Sequence, residues 1–336
     1  MGDVQGRGAH PWGEKRGPGA KQRGRPGLAI DRRRGGCPGP GQRGHPAVRE
    51  ARVGRLLGRV AVITGGSRGF GLAVARAFVR EGARVVLASR SAETLQRVVE
   101  QLGGPETALG VRCDVAQREQ VEALLEVALS TFGRLDLWVN NAGVSSPYGG
   151  TAHVPVADGE RMIHTNILGV YYGAVAALRH FLGQGRGKLL NIAGRGTRGP
   201  VPMLNLYGAS KAWVRSFTLA LAREYRQSGV GVFLLNPGMM LTEMLLDTPV
   251  VAGFEGPLQG YGRILCLWAQ PPEIPAERAV FLASSATDGR TGLEVRVMTP
   301  GFMLRQTVRN FWRCFVRRHL PTVQLRRVLP EFEAPR

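Results

Sequence analysis

The chain has 336 residues, 43% of them hydrophobic, which is enough for one large domain or two small ones with a buried core. Its formal charge of +20 sits mostly at the ends: residues 1–55 hold 13 Lys+Arg against 4 Asp+Glu, and residues 301–336 hold 8 against 2, so the body is not expected to bind nucleic acid. No apolar run reaches the ~18 residues of a membrane span, no apolar signal region opens the chain, and Cys37, Cys113, Cys266 and Cys314 have no metal-ligand spacing; they read as reduced thiols of a cytoplasmic protein without a metal site.

Residues 1–56 are rich in Gly, Pro and Arg and almost free of periodic apolar positions, so they are expected to be a disordered basic extension. Beyond it, short β-type runs at 60–63, 85–88, 109–113, 135–139, 188–192, 230–235 and 293–297 alternate with helical spacing at 72–80, 93–102, 121–132, 161–181 and 204–227. Such alternation predicts βαβ units, hence an α/β fold: one domain over 57–300, a doubly wound parallel sheet with helices on both faces. After Pro300, Leu304, Val308, Phe311, Trp312 and Phe315 recur at helical spacing while Arg305, Arg309, Arg313 and Arg317 recur every four. The segment 301–336 therefore reads as a basic amphipathic extension, and 302–320 suits an anionic membrane, a partner or its own domain.

Thr64-Gly65-Gly66-Ser67-Arg68-Gly69-Phe70-Gly71 lies between the first strand and the first helix. There the backbone N–H groups and the positive helix end can meet a pyrophosphate, and a Cβ would hold the backbone away. Tyr207 and Lys211, four apart, stand one above the other on a helix face. An ammonium there is expected to draw the phenol below its free value near ~10.

With this glycine turn the chain resembles the short-chain dehydrogenase/reductase family, in its compact single-domain branch, which implies a Rossmann-type sheet and a nicotinamide dinucleotide. The other family motifs follow in order: Asp114-Val115, Asn140-Asn141-Ala142-Gly143, Asn166, Tyr207-x-x-x-Lys211 and Asn236-Pro237-Gly238-Met239-Met240-Leu241-Thr242. The resemblance implies that Tyr207, Lys211 and Asn166 are catalytic. It implies a cofactor site of Thr64, Gly65, Ser67, Arg68, Gly69, Phe70 and Gly71, of Ser89 and Arg90, of Asp114 and Val115, of Asn141, Ala142 and Gly143, of Tyr207 and Lys211, and of Pro237, Gly238, Met240 and Thr242. The second strand ends in Ala88-Ser89-Arg90 with no acid to hold a ribose 2′-OH, and Arg68 adds a second cation, so NADP is favoured over NAD. The reaction expected is interconversion of a carbonyl and an alcohol on a lipophilic small molecule, because residues 239–270 are rich in Met, Leu, Phe and Tyr. A homodimer or homotetramer is expected.

One position departs from the family. Its serine, 13 residues before the tyrosine, is Gly194 here. Losing one such donor costs a factor of about 10² to 10³ in rate. Water, Thr197, Ser145 or Ser146 are the candidate replacements, a gain of turnover is expected of Gly194→Ser, and the alternative is a catalytically weak NADP-binding scaffold.

Overall fold

The computed structural model describes residues 54–316 and 320–332. From the N-terminal side the elements are β1 (Val60–Thr64), α1 (Gly69–Arg80), β2 (Arg84–Ser89), α2 (Ala92–Gln101), β3 (Ala108–Arg112), α3 (Arg118–Phe132) and β4 (Leu137–Asn140). Next come α4 (Val156–Ile163), a π turn (His164–Leu168), α5 (Gly169–Gln184), β5 (Gly187–Ile192), α6 (Asn205–Glu224) and β6 (Val230–Asn236). The remainder is α7 (Glu243–Leu246), β7 (Asp247–Val251), α8 (Tyr261–Trp268), α9 (Glu273–Ala283), β8 (Glu294–Arg296), α10 (Pro300–Phe311) and β9 (Gln324–Val328).

Seven strands pair in parallel in the order β3-β2-β1-β4-β5-β6-β8. This is the expected doubly wound sheet of Rossmann type. The strands are apolar on both faces because both are covered: Ala61, Ile63 and Leu87 pack with Phe70, Phe78, Leu95 and Val280 of α1, α2 and α9, while Val60, Val62 and Trp138 pack with Leu124, Ala177 and Leu221 of α3, α5 and α6. The chain reverses direction in the sheet between β1 and β4, so their C-terminal ends open the crevice where such sheets bind ligands.

The expected extension 1–56 lies, up to residue 53, outside the described residues. Its last residues are corrected by the fold. Arg55 pairs with Glu81 at 2.5 Å and Leu56 is fully buried, because that leucine closes the end of α1 over the core.

Two elements come from pairings that span long stretches of chain. β7 and β9 form a separate two-stranded parallel sheet in register from Asp247↔Gln324 to Val251↔Val328. Cys266 and Cys314 form a disulfide, which corrects the reading of both as thiols: α8 and the turn after α10 bring side chains 48 residues apart into bonding range. Closing a loop of that length is worth about 4 kcal/mol in the chain-entropy account. Cys113 is a free, buried thiol. No helix among the described residues is long and apolar enough to cross a membrane.

Candidate active site

The turn Gly65–Gly71 begins with two backbone requirements. Gly65 (φ +64°) and Gly69 (φ +55°) sit in the left-handed region that side chains disfavour. A Cβ on Gly71 would stand 2.2 Å from the Gly65 carbonyl oxygen, so only glycine lets α1 start this close to the turn. No side chain caps α1 at Arg68, which leaves its first N–H groups available to an anion. The Phe70 side chain is buried in the core and anchors the helix.

Thr64 and Asn141 bind this turn to the one after β4. The Thr64 hydroxyl accepts from the Asn141 and Ala142 N–H groups at 3.0 and 3.1 Å, and the Asn141 amide donates to the Thr64 and Gly65 carbonyls at 2.9 and 3.2 Å. Both side chains are thus engaged in holding two turns together. Beneath them runs a buried polar chain: Trp138 Nε1 donates to Asn140, Asn140 to Asn191, and Asn191 to Thr218, at 2.7, 2.9 and 2.9 Å. It ties β4, β5 and α6 together through groups that satisfy one another.

Ser67 donates to the Ser89 hydroxyl at 2.9 Å, joining the turn to the end of β2. Arg68 does not point toward Arg90 as a clamp; its guanidinium meets Glu243 of α7 at 2.6 Å, because α7 lies across the mouth of the cleft and offers the nearest carboxylate. Thr242 lies over the turn, its methyl 3.7 Å from where a Gly69 Cβ would be. Arg90, with no ion pair among the described residues, lines a cavity of about 240 Å³ with Asp114, Glu160, Arg161 and His164. The Asp114 carboxylate accepts from the Ala116 N–H at 3.0 Å, shaping its own loop, and Val115 is packed against Gly169.

Asn166 is fully buried at the π turn, where an extra residue per turn redirects a side chain that regular helix would aim elsewhere. It accepts from Val144 N–H and donates to Val144 O, both at 2.9 Å, and donates to Ser210 at 3.2 Å. Lys211 is buried beside it, donating to the Ile192 carbonyl at 3.1 Å. A Cβ on Gly143 would lie 3.3 Å from Asn166 Oδ1 and 3.6 Å from Lys211 Nζ, so Gly143, Asn166 and Lys211 surround one small space. That single bond uses one of the three donors of the ammonium, and the other two suit a diol such as a ribose.

Tyr207 and Lys211 share a face of α6, but the ammonium lies 5.8 Å from the phenol ring centroid. The expected lowering of the phenol is therefore corrected. Burial, with the Tyr261 phenol adding to it, pushes Tyr207 up to about 12. Burial also takes Lys211 down to about 8. Tyr261, at the start of α8, is a site residue that no sequence signal marked.

The Tyr207 hydroxyl rests against Gly194: a Cβ there would stand 2.5 Å from Tyr207 Oη and 3.4 Å from Lys211 Cγ. Two of the candidate replacements for the missing serine are engaged with backbone. Thr197 donates to the Gly194 carbonyl and accepts from its N–H at 3.3 Å, and Ser145 donates to the Ser146 carbonyl at 3.1 Å. A hydroxyl so close to its own backbone saturates there instead of reaching into the cleft. Asn236 also donates to the Gly194 carbonyl, at 3.0 Å, and links it to the Pro237–Gly238 turn. Gln270 holds that turn by donating to the Pro237 carbonyl at 3.1 Å, and its backbone pairs beside Met240.

Residues 59–249 match the family model described as short chain dehydrogenase. Among curated proteins, the chain is 35% identical over 268 residues to 3beta-hydroxysteroid dehydrogenase 1 of Eggerthella lenta, covering 75% of this chain and 98% of that one. It is 37% identical over 270 residues to L-fucose dehydrogenase of Oryctolagus cuniculus, covering 77% and 90%. A crystal structure of 3-ketoacyl-(acyl-carrier-protein) reductase from Brucella melitensis, complexed with NADH, superposes with a TM-score of 0.65 at 33% identity, covering 72% of this chain and 97% of that one. With the glycine turn, the Asn-Asn-Ala-Gly turn and the Tyr207/Lys211 pair all facing one crevice, this chain belongs to the short-chain dehydrogenase/reductase family of oxidoreductases.

Proposed function

We propose that the protein is an NADP-dependent oxidoreductase that interconverts a carbonyl and an alcohol on a lipophilic small molecule. The observation that carries this reading is the Tyr207 phenol held against Gly194, with the under-used Lys211 ammonium buried one turn along the same helix. When bound, the nicotinamide supplies or accepts the hydride. Tyr207, held protonated at neutral pH, donates its proton to the carbonyl oxygen in reduction and takes it back in oxidation. Lys211 would hold the ribose hydroxyls, and Asn166 keeps Val144 and Ser210 in place around it. Gly65–Gly71 would receive the pyrophosphate, with Thr242 over it.

Arg90 supports NADP over NAD, since a guanidinium in an open cavity suits a 2′-phosphate and no acid stands at the end of β2 to repel one. Arg68 would have to leave Glu243 to help, a small cost for an exposed pair, about 0 to 1 kcal/mol. Arg90→Ala should raise the Kd for NADPH about tenfold, or ~1.4 kcal/mol, with little change for NADH. Equal losses for the two nucleotides in fluorescence titrations would remove Arg90 from this role.

The Thr197 and Ser145 hydroxyls are engaged with backbone carbonyls rather than taking the place of the family serine, so turnover should be slow. The gain expected of Gly194→Ser has to be measured against a steric control, because any side chain at 194 drives the phenol from its seat. Gly194→Ala should lower kcat about tenfold or more by misplacing Tyr207. Gly194→Ser suffers the same displacement but supplies a donor, and should exceed the alanine variant by about 10². Equal rates for the two would mean that no oxygen reacts near residue 194. The test of the whole reading is NADPH oxidation by the purified protein against a panel of apolar aldehydes and ketones. Tight NADPH binding with no turnover in the parent or in Gly194→Ser would favour the scaffold instead.

A further inference from the structure

The helix α10 is seated with its polar side inward. Asn310 donates to the Leu267 carbonyl of α8 at 2.9 Å, Trp268 Nε1 donates to Thr307 at 2.9 Å, and Gln306 and Asn310 are both buried. The Cys266–Cys314 disulfide then fixes the rotation of the helix about its axis. The opposite side carries the apolar stripe, which stays exposed: Leu304 by 68%, Val308 by 74%, Phe311 by 52%, Trp312 by 62% and Phe315 by 43%. Monomeric proteins rarely present so many large apolar side chains in one stripe without a partner.

Charge decides what that partner is. Arg305, Arg309 and Arg313 run beside the stripe, exposed and without an ion pair among the described residues, and no Asp or Glu occurs between Val295 and Pro330. A second copy docked stripe to stripe in antiparallel fashion about a two-fold axis would set these arginines against their own copies. An anionic bilayer surface complements them, taking the apolar stripe into the acyl boundary while the guanidiniums stay at the headgroups. We propose that α10 is an in-plane membrane anchor for lipid surfaces carrying anionic headgroups. It also packs on α8, which begins at Tyr261 and so joins the anchor to the wall of the candidate active site.

The test is co-sedimentation of the full chain with phosphatidylcholine vesicles, with and without phosphatidylserine. Because residues 1–55 are themselves strongly basic, electrostatic attraction alone could come from them, and the apolar variant separates the two sources. The parent should bind the phosphatidylserine vesicles in a salt-weakened manner. Phe311→Ser with Trp312→Ser should weaken that binding about tenfold or more, with thermal unfolding and NADPH binding unchanged. Arg305→Gln with Arg309→Gln, at two exposed positions, should weaken it as well and guards against misfolding of the first pair. Three results would overturn the anchor: no binding by the parent, equal binding by parent and both variants, or a parent dimer in solution that the Phe311/Trp312 variant dissociates.

Discussion

Tyr207→Phe is expected to cut kcat by about 10² to 10⁴ while nucleotide binding stays intact, because the change removes one hydroxyl from a ring that remains packed in place. The phenol is the group placed to exchange a proton. It rests against Gly194, where a Cβ would stand 2.5 Å away, and burial holds it neutral up to about 12. Thr197 and Ser145 donate to backbone carbonyls, so neither is aimed to take its place. The measurement is steady-state NADPH oxidation beside a nucleotide titration on the same sample. Unchanged turnover with intact binding would transfer the proton role to another group and end the assignment to Tyr207.

Lys211→Met should change activity and stability in opposite directions. Lys211 is an ammonium buried with one hydrogen bond, and burial alone brings it down to about 8. An apolar side chain of similar length removes that desolvation cost, so the free protein should gain about 1 kcal/mol or more near neutral pH. The same change withdraws the donors offered to the ribose, and kcat/KM for the nucleotide should fall about 10². The pH dependence carries an independent signature. With a folded value near 8 against ~10.4 for free lysine, the unfolded chain binds more protons between those limits, so parent stability rises with pH across that window. Below about 8 both states hold the proton and the full cost is present. Tyr207 acts the other way above ~10, where the unfolded chain releases its proton first and stability falls toward pH 12. Thermal melts of the free protein from neutral pH upward should therefore show the rise near pH 8 in the parent and lose it in Lys211→Met. A rise of the same size in both would mean that Lys211 is not its source.

How much could be read from the order of residues depended on the range of the interaction. The glycine turn was legible because Gly65 and Gly71 answer to local backbone geometry, one through a positive φ and the other because a Cβ there would stand 2.2 Å from the Gly65 carbonyl oxygen. The strands were legible because burial on both faces writes apolar runs, and the departure at Gly194 because it lies on a fixed count from Tyr207. What Arg68 touches was not legible, since Glu243 lies 175 residues away and comes near only when α7 crosses the cleft mouth. Nor was the engagement of Thr197, which turns on one rotamer within its loop.

The C-terminal segment divides the same way. Its helical period and its charge are properties of the sequence alone, as are the sheet, the nucleotide turn and the order of the family motifs, because each follows from local propensity or a short spacing. Which side of α10 faces inward was decided by tertiary structure: Asn310 and Thr307 find partners on α8, and the 266–314 disulfide locks that choice. The protonation of Tyr207 and Lys211 was decided there too, since desolvation depends on everything packed around a side chain and outweighs the influence of a charge four residues away.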